Sequence, residues 1–155
     1  MSLQQCNLIF EEVCKSLQIN GASLGDEGVC QMNFKYEWMP AVNFCYIDED
    51  DALLIFAEAG FIEDDGETEI LKELMQRHFL FNESKGVTFS IAGNNNAVTV
   101  QTRHDVGTMT VENLQNTLVN FVKEVRYAVK KVNREYQNIS EDDLDDTLVN
   151  PEMFG

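Results

Sequence analysis

The sequence predicts an α+β fold in which helices pack on one antiparallel sheet. Three segments repeat apolar residues every three or four positions, the spacing of a helix face: 2–18, 67–82 and 110–136. The segments between them alternate apolar and polar residues, as strands with one buried face do. Since three such strands precede the second helix and two follow it, the predicted order is α-β-β-β-α-β-β-α.

The length of 155 residues predicts a single domain. We place this domain at residues 1–138, because the composition changes after that point. Residues 139–155 hold six acidic residues and no basic one, which predicts a tail that is either flexible or a short helix capped by Ser140.

The first helix has one apolar face, which predicts that it packs on the sheet. The residues of this face are Cys6, Phe10, Val13, Cys14 and Leu17. Leu8 points the opposite way, and Ile9 lies near the edge of the apolar stripe. The loop that follows contains Asn20-Gly21 and Gly25-Asp26, which are typical turn residues.

Three strands are predicted next, at residues 28–36, 42–47 and 52–59. The first alternates cleanly, with Cys30 and Met32 on its buried side. The third is apolar on both faces, so we expect it to be central and covered on both sides. The helices of the chain provide one cover, and a partner is an open candidate for the second.

The second helix, Glu67 to Asn82, carries two neighbouring apolar stripes instead of one. They are Ile70, Leu74 and Phe81, and beside them Leu71, Met75 and Phe79. A surface helix that serves one core shows a narrower stripe. The helix is therefore either packed centrally within the chain or part of a dimer interface.

A hairpin and a long helix complete the predicted fold. The hairpin joins residues 87–91 to 98–102 through Gly93 and three asparagines, which tolerate positive φ. Thr108 or Thr110 is the expected N-cap of the last helix.

The charge excludes several classes of partner. The chain has 27 acidic and 11 basic residues, a formal net charge of −16. Nucleic-acid binding and anionic membranes both require basic residues, so we expect neither partner. The acidic run 48–51 lacks the ligand spacing of a calcium loop, so we expect no metal there.

No catalytic signature is present, and we expect neither an enzyme nor a cofactor or metal. The four cysteines form no C-x-x-C pair, and with no signal peptide the chain is expected to be cytoplasmic and reduced. His78 lies between the apolar stripes of its helix and is interpreted as a packed or interface residue. His104 lies beside Asp105, which is a candidate to orient it.

The ordered apolar pattern resembles the class I type III secretion chaperones, the Tir-chaperone family, over about residues 3–135. The residues that carry the resemblance are Asp26, Cys30, Met32, Val42, Phe44, Leu53, Ile55, Ala57, Ala59, Gly60, Leu71, Leu74, Met75, Asn82, Gly86, Val87, Phe89, Ile91, Leu114, Leu118, Phe121 and Val125. The acidic run 48–51 and the longer tail depart from the family pattern.

The resemblance implies a homodimeric secretion-chaperone-like sandwich without enzymatic activity. Such a chaperone binds the N-terminal segment of one secreted effector in extended form and keeps it secretion-competent. The expected dimer interface residues are Leu71, Leu74, Met75, His78, Phe81 and Phe89. The expected effector-binding residues are Leu8, Ile9, Val29, Trp38 and Met39.

Two other classes of function are also consistent with the sequence. One is a cytosolic regulatory or stress module that shares the fold but has no secreted client. The other is a small enzyme, which would require a concave pocket that gathers a histidine with carboxylates.

Overall fold

The computed structural model describes residues 2–63, 66–93 and 95–138, with only the backbone of Arg134. The helices and strands are α1 (Leu3–Ser16), β1 (Val29–Met32), β2 (Val42–Ile47), β3 (Ala52–Phe61), α2 (Glu67–Arg77), β4 (Thr88–Ala92), β5 (Ala97–Asp105) and α3 (Val111–Val132). This order confirms the predicted α+β class. The predicted tail lies outside the described residues, so the division into domain and tail stays a prediction.

The five strands form one antiparallel sheet in the order β1-β2-β3-β5-β4. The strand predicted to be central, β3, pairs with β2 on one side and β5 on the other. β1 and β4 are the two edges. A register shift between Glu58 and Gly60 lets β3 run on to Phe61, two residues beyond the prediction.

α1 and α3 cover one face of the sheet. The rings of Phe10 in α1 and Phe44 in β2 lie 4.9 Å apart, and Phe121 of α3 is fully buried in the same core. On the other face, Cys45 of β2 and Phe56 of β3 are only partly buried. That face is therefore open to solvent in the described part of the chain.

The largest errors in the predicted boundaries are at the ends of β1, α2 and α3. β1 stops at Met32, because the chain turns back through residues 36–39, where the amide of Met39 donates to the carbonyl of Tyr36. α2 stops at Arg77, because Leu80 adopts φ 50° and breaks the helix. α3 stops at Val132, after which the Asn133 side chain binds the carbonyl of Ala59 on β3.

The N-cap of α3 is Thr110 rather than Thr108. The Thr110 hydroxyl accepts a hydrogen bond from the Asn113 amide at 3.2 Å. The Asn113 side chain in turn accepts one from the Thr110 amide at 2.7 Å. This reciprocal pair satisfies amides that have no partner within the helix and fixes where α3 begins.

Candidate interaction surfaces

The outer side of α2 and the turn after it form an exposed apolar surface, which we call the α2 face. It consists of Leu71, Met75, Phe79, Leu80 and Phe81. The side chain of Met75 is 66% exposed, and Phe79, Leu80 and Phe81 are exposed as well. A shallow groove of about 800 Å³ runs along the helix part of this face. Contiguous exposed apolar surface of this kind marks a site of interaction.

The structure brings five of the six predicted dimer residues together. Leu71, Leu74, Met75, His78 and Phe89 line a groove of about 380 Å³ between α2 and β4. Leu74, however, is only 2% exposed, so it belongs to the core of its own chain. Leu74 and Met75 are adjacent in sequence, but the side chain of Leu74 is buried in the core and that of Met75 is exposed to solvent.

The sixth predicted residue, Phe81, lies outside that groove in a strained turn. Residues 79–81 form one turn of 3₁₀ helix in which Leu80 and Phe81 have φ values of 50° and 55°. Non-glycine residues in this left-handed region are strained, by about 1–3 kcal/mol each. Nothing in the sequence predicts this, since the turn contains no glycine.

His78 joins α2 to the edge of the sheet. Its Nδ1 accepts a hydrogen bond from the Phe89 amide at 3.3 Å, and the two rings stack with centroids 5.8 Å apart. In the described part of the chain β4 pairs only with β5, so this amide lies on the outer edge of β4. His78 therefore covers part of that edge.

A charged cluster holds α2 against α3. Arg77 Nε and Nη2 donate to the two carboxylate oxygens of Glu124 at 2.8 and 3.0 Å, and Nη1 donates to Glu83 at 2.9 Å. The guanidinium carbon lies 4.1 Å from the centre of the Tyr127 ring. The hydrogen bonds to Glu124 raise the pKa of Arg77 above its ordinary value, so the guanidinium stays charged.

Sequence reasoning missed this cluster, although one signal was visible. Glu124 lies between Phe121 and Val125 on α3, close to its apolar stripe, and it is fully buried. A buried carboxylate requires a paired cation. The sequence does not say which cation it is, because Arg77 is 47 residues away.

The predicted effector-binding residues lie in α1, in β1 and in the segment that follows β1. Leu8 is 61% and Val29 is 49% exposed, while Ile9 and Trp38 are half-buried. The ring of Trp38 stacks on Tyr36 with centroids 5.7 Å apart. Met39 is buried in the core, so it lies beneath the surface rather than on it.

Among the strands of the described residues, β1 pairs only with β2, so its outer backbone edge faces away from the sheet. The carbonyl of Gly28 accepts from the amide of Tyr46 at 2.7 Å, so Gly28 is a hydrogen-bonded position of the antiparallel pair. Because such positions alternate along a strand, the backbone N–H and C=O groups of Val29 and Gln31 point away from β2. The Val29 amide donates to the Leu24 carbonyl at 2.9 Å. The outward peptide groups of Gln31 are therefore the start of an edge that another strand can extend.

The described residues contain no arrangement with obvious reactive chemistry. No group of three or more His, Cys, Asp or Glu side chains within residues 2–63, 66–93 and 95–138 is placed to hold a metal ion. His104 Nε2 lies 3.1 Å from Asn113 Oδ1, and Asp105 accepts from the Gly107 amide. The described helices include none that is long and apolar enough to cross a bilayer.

Comparison with known proteins identifies the family. A sequence profile of the Tir chaperone protein (CesT) family matches residues 9–128. The chain belongs to the Tir chaperone protein (CesT) family. This confirms the resemblance inferred from the apolar pattern. The family consists of type III secretion chaperones that are not enzymes, which confirms that expectation too. No curated protein matches the chain by sequence.

Solved structures share the fold of this CesT-family chain at low sequence identity. A chain of the ExsC–ExsE complex is 15% identical with a TM-score of 0.65, covering 83% of this chain and 94% of that one. A chain of the ExoU–SpcU complex of the Pseudomonas aeruginosa type III secretion system is 12% identical with a TM-score of 0.61, covering 79% of this chain and 95% of that one. A chain of the Yersinia pestis type III secretion chaperone SycH in complex with a fragment of YscM2 is 14% identical with a TM-score of 0.59, covering 77% of this chain and 95% of that one.

Proposed function

We propose that this type III secretion chaperone acts in the cytoplasm as a homodimer that holds the N-terminal segment of a secreted effector in extended form. The observation that carries the proposal is that apolar side chains are exposed on two separate surfaces, one around α1 and β1 and one on α2. A folded subunit gains nothing by leaving both exposed, so two kinds of partner are expected. The similar structures include a chaperone–effector complex and a secretion chaperone bound to a stable protein fragment.

The surface around α1 and β1 suits an extended polypeptide. A peptide that pairs with the outer edge of β1 at Gln31 places alternate side chains on opposite faces of the sheet. One set lies beside the exposed Val29, and the other faces the side on which α1 packs. Ordering a flexible segment costs conformational entropy, which burial of apolar surface offsets. Met39 supports this surface from below.

The α2 face suits a second copy of the chain. A twofold interface must be complementary to itself, so the same residues serve both subunits. Leu71, Met75, His78, Phe81 and Phe89 are the proposed contacts. Leu74 supports them from inside its own core, since it is almost inaccessible.

The net charge of −16 indicates the chemistry of the effector. A basic or neutral segment is attracted to the acidic surface, whereas an acidic one is repelled. Charge of this kind acts mainly on the association rate, so binding is expected to be faster at low salt than at high salt.

Site-specific photo-crosslinking in the native cytosol tests both surfaces. A crosslinker replacing Val29 is expected to trap the N-terminal segment of a type III secreted protein, and one replacing Met75 is expected to trap a second copy of the chain. A crosslinker replacing Asn116, an exposed polar residue of α3, serves as the control. If Val29 traps no secreted protein, or traps folded domains far from an N-terminus, the chaperone proposal is wrong in that part.

A further inference from the structure

We propose that Arg77 is a positioning residue that fixes α2 and the strained turn 79–81 against α3. By doing so it sets the shape of the α2 face. The inference rests on the proposed function only where it concerns the dimer, because the placement of α2 can be measured in the isolated chain.

α2 has a limited apolar attachment to the core. Of its 11 residues Leu74 is buried, and Ile70 and Leu71 are partly buried against the core. An isolated helix of this length is marginal in water, so its stability must come from tertiary contacts. The contacts that Arg77 makes with α3 lie at the end of the helix, where the chain enters the strained turn.

Arg77 binds on both sides of that turn. It precedes residues 79–81 and pairs with Glu124 of α3, while its third contact is to Glu83, which follows the turn. One residue further, the carbonyl of Ser84 accepts from the Asn120 side chain of α3 at 2.7 Å. The turn is thus held at both ends by the same helix.

The side chains of the turn do not explain its conformation. Leu80 and Phe81 have positive φ and are exposed, so packing within the chain does not hold them there. Strained residues persist when the surrounding contacts require them. Backbone hydrogen bonds from the Phe81 amide to His78 and from the Lys85 amide to Phe81 close the turn locally. The contacts of the Arg77 cluster flank it and tie it to α3.

The chemistry of the site requires arginine. The planar guanidinium meets both oxygens of Glu124, reaches Glu83 with a third nitrogen, and stacks on Tyr127. The ammonium of lysine is a point charge that cannot reproduce this fork. Arg77→Lys therefore keeps the positive charge but removes the paired hydrogen bonds to Glu124, which makes it a specific perturbation.

A second ion pair between the same helices provides a matched control. Lys131 of α3 pairs with Glu73 of α2, and both side chains are more than a third exposed. Exposed pairs contribute little to stability. Glu73→Gln therefore removes a link between α2 and α3 but leaves the hydrogen bonds of Arg77 in place. Lys131 also lies 5.5 Å from the Tyr127 ring, so the control keeps this cation beside the ring as well.

Hydrogen exchange of the full chain, together with its dimer dissociation constant, tests the inference. Arg77→Lys is expected to speed exchange of amides 67–85 by roughly tenfold or more, with β3 nearly unchanged, and to weaken the dimer. Glu83→Gln, which alters an exposed residue and should fold normally, is expected to speed exchange only around the turn. Glu73→Gln should leave the exchange of the turn unchanged.

Two results would overturn the inference. One is wild-type exchange of residues 79–85 in both Arg77→Lys and Glu83→Gln. The other is acceleration of β3 equal to that of α2, which would make Arg77 a general stabiliser. A wild-type chain that stays monomeric would instead contradict the homodimer, while the exchange comparison still decides the role of Arg77.

Discussion

Met75→Glu is expected to dissociate the proposed dimer without unfolding the subunit. The Met75 side chain is 66% exposed, so a charge placed there is solvated in the monomer. In the dimer the same position is expected to be covered by the second copy. Substitution therefore acts on association and leaves the core intact.

The magnitude follows from the exposed fraction. Full burial of a methionine side chain contributes about 1.5–3 kcal/mol, and the two-thirds that is still exposed corresponds to about 1–2 kcal/mol per subunit. Twofold symmetry counts this change twice, giving about 2–4 kcal/mol. The dissociation constant should therefore rise by between about 30-fold and about 1,000-fold. Desolvation of the two new carboxylates adds to this.

Sedimentation over a concentration series measures the effect, with circular dichroism to check the fold. Leu8→Glu is the matched control, because Leu8 is similarly exposed, at 61%, but lies on α1. It should leave the dimer intact and weaken effector binding. Leu74→Glu should instead unfold the subunit, since that side chain is 2% exposed. If the wild type is a dimer and Met75→Glu has the same dissociation constant, the assignment of the α2 face is refuted.

Three further predictions concern the subunit itself. Thr110→Ala should lower the free energy of unfolding by about 1 kcal/mol in urea titration, since the bond to the Asn113 amide is lost; an unchanged midpoint would contradict this. Burial raises the pKa of Cys6 to about 11 and of Cys14 to about 12. Folding thus favours the protonated thiols, so stability should fall as the pH rises above about 9, and a flat profile from pH 9 to 11 would count against it. Removing residues 140–155 should preserve the thermal transition; its loss would show that the tail is part of the domain.

Much of the architecture follows from the sequence because helix and strand periodicity is local. The three-residue and four-residue spacing from Leu114 to Val132 predicted a helix, and the alternation of Cys30 and Met32 predicted a strand facing the core. Both are confirmed. The double stripe on the second helix likewise predicted more apolar surface than one core accommodates, and the exposed α2 face matches that prediction.

The tertiary structure decided which apolar residues are available to partners. Periodicity shows that Leu74 and Met75 lie on neighbouring stripes, but only the positions of β4 and α3 determine that the first is buried and the second exposed. The same holds for the end of α2 at Arg77, whose partner Glu124 is 47 residues away. Contacts between distant segments leave no periodic trace, so the sequence specifies the elements, and their packing specifies the surfaces on which they act.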